Sequence, residues 1–184
     1  MTWIQTLDNR KFDLLNPRAE DVDPDVICKV LARIPRFGGH TKAFYSVAQH
    51  SLLVESLCGP IGTDWRLAAL LHDAHEVYSG FGDVCRPAKT LTGSLQVQIA
   101  RVEALIDRCM GERFGFDYAL FKSDQIRQAD NVALATEARD LMGPPPEPWS
   151  VEERPSPVIT VEPFDEQEAY RRFSARLYEL WSAQ

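Results

Sequence analysis

The apolar residues of "TWIQTL" and "KFDLL" alternate with polar ones and flank the turn-forming stretch Asp8 to Arg10, a pattern that predicts a small β-hairpin. From Asp25 the period lengthens. Val26, Val30 and Leu31 recur at helical spacing until Pro35 and the pair Gly38–Gly39 interrupt them, so a helix is expected with "PRFGGHTKAFYS" as the loop after it. A second helix is predicted over Val47 to Leu57, ending at Gly59 and Pro60. A third is expected to start at Asp64, as its N-cap, and to run through "WRLAALLHDAHEVY", with "FGDVCRPAK" a loop beyond it.

Residues 94 to 111 carry Leu95, Ile99, Val102 and Ile106 on one side, and Gly111 is read as closing that helix. Another long helix follows in "DQIRQADNVALATEARDLM", stopped by "GPPPEPW". Pro and charge dominate from Gly143 to Pro157, which reads as a surface loop rather than a domain boundary. "SPVITVEP" is a candidate short strand, and "DEQEAYRRFSARLYELW" an amphipathic C-terminal helix over about 165–182. The pattern therefore predicts a mainly α domain with an N-terminal hairpin.

Composition narrows the function classes. A chain of 184 residues with 45% hydrophobic and 26% charged positions is expected to form one domain with a sizeable core. No apolar run approaches the roughly 20 residues needed to span a bilayer, and "MTWIQTLDNRKFD" lacks the features of a secretory signal, so a cytoplasmic location without membrane contact is expected. Cys28, Cys58, Cys85 and Cys109 form no CxxC pair and read as reduced, mostly buried residues rather than a zinc ribbon or redox site. The formal net charge of −7 argues against binding a nucleic-acid polymer but leaves a small anionic substrate open.

The candidate chemistry is concentrated. All four histidines (His40, His50, His72 and His75) fall in a short part of the chain. On an uninterrupted helix with successive side chains turned by about 100°, and His72 at zero, Asp73 projects to about 100°, Glu76 to about 40° and His75 to about −60°. Ala68 and Ala69, one turn earlier, leave room for an ion or ligand. Imidazole and carboxylate are the usual ligands of a divalent transition ion; His50 can supply a third ligand and Asp130 a fourth. Taken alone, His50 reads as a packing histidine and Asp130 as a solvated helix residue. The doublet after "LAALL" is different, because a desolvated carboxylate needs a strong partner.

In order and spacing, His50, His72–Asp73 and Asp130 resemble the signature of the HD-domain metal-dependent phosphohydrolases. The resemblance is greatest to the bacterial 5′-deoxynucleotidases and the phage-type deoxynucleoside triphosphate triphosphohydrolases. "HDAHE", a "GD" with a proline and lysine after it, and an arginine followed by an aromatic ahead of the first histidine add to it. The spacer from Glu76 to Asp83 is slightly longer than the family pattern, and the gap from Arg36 to His50 slightly shorter. The resemblance covers about 25–142 and implies a single HD-type helical bundle.

It further implies that His50, His72, Asp73 and Asp130 hold one divalent transition ion (Mn, Co, Fe, Ni or Zn), with the ion number inferred from the absence of any histidine after His75. Glu76 and Asp83 are the implied catalytic residues, Glu76 governing the attacking water and Asp83 lining the phosphate end with Lys89. Arg36 would hold a phosphate and Phe37 pack on the sugar or base. The expected reaction releases nucleoside and phosphate from a (deoxy)nucleoside 5′-phosphate, by an enzyme that is a homo-oligomer.

The alternative substrate is a deoxynucleoside triphosphate, which extra basic side chains such as Lys42, Arg86 and Lys89 would favour. An alternative of another class is a catalytically inactive nucleotide-binding module. A structural metal domain fits less well, because the cysteines lie away from the cluster. His75 is read as an accessory or surface residue, and His40 as either a phosphate-reaching or a solvated loop residue.

Overall fold

Strands β1 (Trp3–Gln5) and β2 (Lys11–Asp13) pair antiparallel with Ile4 opposite Phe12, as the alternating pattern predicts. Asn9 takes the left-handed conformation at the turn, φ 63°, which its short polar side chain tolerates. Phe12 is the inward residue of β2 and stacks on Tyr78 with ring centroids 4.3 Å apart. The structure, a computed structural model, describes residues 1–60, 62–90, 93–149 and 151–184.

Beyond the hairpin the chain is mainly helical. Helix α1 (Pro24–Leu31) starts where Asp23 accepts from the N–H groups of Asp25 and Val26, with Pro24 at the first helical position. Helix α2 (Val47–Leu57) has its predicted bounds, capped by the Ser46 hydroxyl accepting from the Gln49 N–H. Helices α6 (Ser94–Phe114), α7 (Asp124–Leu141) and α8 (Glu166–Ser182) complete the long elements. α2 packs against α3 (Thr63–Leu71), α7 and α8, which makes it the central helix. Val47, Ala48 and Val54 of α2 meet Leu67, Ala68, Leu70 and Leu71 of α3 in a core from which water is excluded.

Several expectations are corrected. The third helix does not run through to Tyr78: α3 ends at Leu71 and a separate turn, α4 (Glu76–Ser79), follows. Between them the N–H groups of Ala74, Glu76, Val77 and Tyr78 donate to carbonyls three residues back, which is the tighter 3-10 pattern. Asp64 is not the N-cap; Gly62 holds that place, and Asp64 sits in the first turn, where a negative charge suits the helix dipole. "FGDVCRPAK" contains a one-turn helix, α5 (Arg86–Lys89), with Pro87 in its first turn. Arg36–Gly39 forms a 3-10 turn inside the expected loop.

Gly111 does not close α6, which continues to Gly115 in a left-handed C-cap with φ 79°. Gly111 is needed for another reason. A Cβ there would lie 2.8 Å from the Phe116 carbonyl oxygen and 2.9 Å from the Tyr118 Cβ. Ile99, Val102 and Ile106 of α6 are buried as predicted, whereas Leu95 is 64% exposed.

"SPVITVEP" is not a strand. Its backbone is held by side chains instead: Val161 N–H donates to Asp140, Phe164 N–H to Gln49, and the Gln49 amide donates back to the Glu162 carbonyl. The loop 143–157, of which 150 lies outside the described residues, precedes it. Cys28, Cys58 and Cys109 are buried and Cys85 exposed, all as free thiols. Among the described residues no helix is long and apolar enough to cross a membrane.

Candidate metal centre

The Ser46 cap starts α2 four residues before His50, so His50 comes on the inward face of the central helix with no solvent exposure. Its Nδ1–H donates to Glu137 Oε1 at 2.7 Å, which leaves Nε2 as the free face of the ring. Glu137 lies on α7, is itself fully buried, and also accepts from the Tyr45 hydroxyl at 2.9 Å. The carboxylate thus orients the imidazole and selects its tautomer.

His72 follows the end of α3. Its Nδ1–H donates to the Ala69 carbonyl at 2.9 Å, again leaving Nε2 free. The Nε2 atoms of His50 and His72 lie 3.5 and 3.3 Å from Asp73 Oδ2. One donor atom from each of His50, His72 and Asp73 falls within 4.8 Å of the others. Both free Nε2 atoms are buried without a hydrogen-bond partner, a costly arrangement unless a cation completes it. Asp130, on α7, adjoins the group with Oδ1 3.2 Å from His50 Nε2, while its Oδ2 is 3.2 Å from Arg86. The four expected ligands are therefore neighbours, drawn from α2, the α3–α4 turn and α7.

The electrostatics follow from this packing. Burial opposes charge on Asp73, yet His72, His50 and Arg36 hold its carboxyl well below the usual range. Burial opposes charge on Asp130 as well, and attraction to the neighbouring His50 and His72 imidazoles outweighs it, lowering its pKa to about 2. Glu76 goes the other way. It is 4% exposed, and burial together with repulsion from Asp73 and Asp83 raises its pKa well above normal.

Arg36 is buried at the start of its 3-10 turn, with Nη1 3.7 Å from Asp73 and 3.5 Å from Asp83, and Nη2 3.5 Å from Glu137. Phe37 has φ 56°, strained for an aromatic residue, and its N–H donates to Asp83 Oδ2 at 3.0 Å. Asp83 thus fastens the Arg36–Phe37 turn to the cluster. Trp149 of the Pro-rich loop faces the Phe37 ring at 6.1 Å.

Lys89 has its Nζ 3.1 Å from Glu103, the carboxylate that also faces His75. His40 and Lys42 are exposed loop residues.

Of the two readings left open for His75, accessory or surface, the structure gives it the buried, accessory position. It is 5% exposed and donates from Nδ1 to Asp107 at 3.0 Å, with Glu103 Oε1 3.5 Å from its Nε2. The projected angle shifts because it assumed about 100° per residue, whereas the 3-10 turn advances about 120° and brings residues three apart onto one face. Burial opposes charge here too, but Asp107 and Glu103 raise the His75 pKa to about 10. Sequence reasoning missed Glu137, Tyr45, Glu103, Asp107 and Trp149. The one available signal was periodicity: Glu137 is two turns beyond Asp130 on α7 and shares its face.

No family model matches the chain. An uncharacterized protein of Rhodobacter capsulatus is 38% identical over 149 residues, which cover 77% of this chain and 74% of that protein. The uncharacterized protein YfdR of Escherichia coli is 34% identical over 141 residues, which cover 77% of this chain and 73% of that protein.

Proposed function

We propose that this chain, which belongs to the same family as YfdR of Escherichia coli, is an HD-type metal-dependent phosphohydrolase that cleaves the 5′-phosphate ester of a nucleotide. One observation carries the reading: His50 and His72 present buried, unpartnered Nε2 atoms to the Asp73 carboxylate, each ring oriented by an acceptor at Nδ1. This donor set fits a divalent transition ion, with Asp130 beside it. Such an ion supplies Lewis acidity toward a phosphoryl oxygen and lowers the pKa of a water.

The protein's own groups account for the rest. Arg36 is a buried guanidinium held beside Asp73 by three carboxylates, so a phosphate entering the site meets a fixed positive charge. Glu76, buried next to Asp73, has a carboxylate placed to orient a water and take its proton. Burial and the neighbouring carboxylates raise its affinity for a proton, as a base that takes one from water requires. The Phe37 ring lies beside the Arg36 guanidinium and faces Trp149, and the two rings provide aromatic surface for the sugar or base.

The monophosphate is the preferred substrate. The cations that would favour a triphosphate are engaged, Arg86 by Asp130 and Lys89 by Glu103, and Lys42 is exposed on its loop. Incubating purified protein with nucleoside mono- and triphosphates and Mn²⁺ or Co²⁺ tests this. Nucleoside plus inorganic phosphate is the expected product pair; released triphosphate would move the assignment to the alternative. Undiminished turnover by Asp73→Ala would sink the hydrolase reading altogether.

A further inference from the structure

We propose that the site holds a second divalent cation, bound by Asp73, His75 and Glu76 and sharing the Asp73 carboxylate with the first. It rests on the reading of His50, His72 and Asp73 as a metal centre and revises the expected ion number. One donor atom from each of Asp73, His75 and Glu76 lies within 4.8 Å of the others, as for the first group.

The independent observation is how His75 is held. Three buried imidazoles surround Asp73, and all three are anchored alike. His50 donates from Nδ1 to Glu137, His72 to the Ala69 carbonyl and His75 to Asp107. In each ring Nε2 is buried and has no hydrogen-bond partner. An acceptor at Nδ1 and a free lone pair at Nε2 is the arrangement by which proteins prepare a histidine for a metal. Glu76 adds an unpartnered buried oxygen, Oε2. Both residues are more than nine-tenths buried, at 5% and 4% exposure, so water does not satisfy these atoms.

Without an ion His75 is an imidazolium between Asp107 and Glu103, and a cation at Nε2 takes the place of that proton. The second separation, 3.5 Å from His75 Nε2 to Glu103, is long for a charge-assisted hydrogen bond, and Glu103 is already engaged by Lys89 at 3.1 Å. Asp73 turns Oδ2 toward His50 and His72, which leaves its other oxygen for a neighbouring ion. A shared carboxylate suits paired ions about 3.5–4 Å apart. Two carboxylates and one imidazole form a more oxygen-rich set than the first, which selects Mn²⁺ or a similarly hard ion. Glu76 keeps its role toward water, since only Oε2 is required here.

Chelator-treated full-length protein, dialysed against Mn²⁺ and assayed for bound metal, should hold about two ions per chain with the exchange-broadened electron paramagnetic resonance spectrum of a pair. His75→Gln and, separately, Glu76→Gln should each reduce this to about one ion with the resolved spectrum of isolated Mn²⁺. Should His75→Gln fail to fold, the wild-type stoichiometry and Glu76→Gln decide. About one ion in the wild-type chain, with an isolated spectrum, would overturn the second site and leave the first intact. No bound ion at all would overturn both.

Discussion

Glu137 has no solvent contact, yet it accepts from His50 and Tyr45 and faces Arg36, so one carboxylate sets three side chains around the candidate centre. Glu137→Ala would leave those groups buried without a partner, and a broken buried ion pair costs about 3–5 kcal/mol. Urea unfolding should register that loss. Glu137→Gln keeps an acceptor but not the charge, and should fold while lowering Mn²⁺ affinity by about 10–100-fold in calorimetric titration. Unchanged affinity would mean that Glu137 does not orient His50 toward a metal.

The histidines also set a pH dependence in metal-free protein. For both His50 and His75 burial opposes the charged form, but carboxylate neighbours prevail and raise the pKa from 6.5 to about 10. A raised pKa means that the folded state holds the proton more tightly than the unfolded one. The resulting stability is fully present below about pH 6.5 and is lost as pH rises through about 10. Thermal midpoints of chelated protein should therefore fall between pH 6.5 and 10. A midpoint that holds constant or rises over that interval would contradict the buried, carboxylate-paired state of these rings.

At the level of elements, two departures from regular helix matter most. The first is the 3-10 turn between α3 and α4, which rotates His75 inward from where a continuous helix would leave it. The second is the close approach at Gly111, where α6 is crossed by the backbone of Phe116 and by Tyr118. Gly111→Ala is a favourable change by helix propensity alone, by about 0.5–1 kcal/mol. Here the clash should prevail and the variant should lose about 1–3 kcal/mol, measured by urea denaturation. A stabilised variant would show that the crossing can relax.

Across the whole molecule, the core around α2 is apolar and continuous, and the candidate centre lies where α2, α7 and the α3–α4 turn meet. Chelation should therefore abolish turnover while the far-ultraviolet circular dichroism of the helices persists. Added Mn²⁺ at about 100 times its dissociation constant should raise stability by about 2.7 kcal/mol. Unfolding on chelation, with no activity beforehand, would favour a structural metal instead.

What the sequence determined by itself was whatever depends on short-range rules. The hairpin follows from alternation around Asp8 to Arg10, and the end of α2 from Gly59 and Pro60. The doublet His72–Asp73 was legible because a carboxylate after an apolar run is costly without a partner, whereas His50 and Asp130 joined it only through the HD-domain signature that their order and spacing resemble. Tertiary structure alone decided the roles of His75, Glu103, Asp107 and Glu137. Their neighbours lie far away in sequence, as His75 and Asp107 do, and a local break in helical hydrogen bonding brings them together. Periodicity assumes a constant turn per residue, so it cannot register that break. For the same reason "SPVITVEP" looked like a strand: its backbone partners are the side chains of Gln49 and Asp140, which no local pattern reveals.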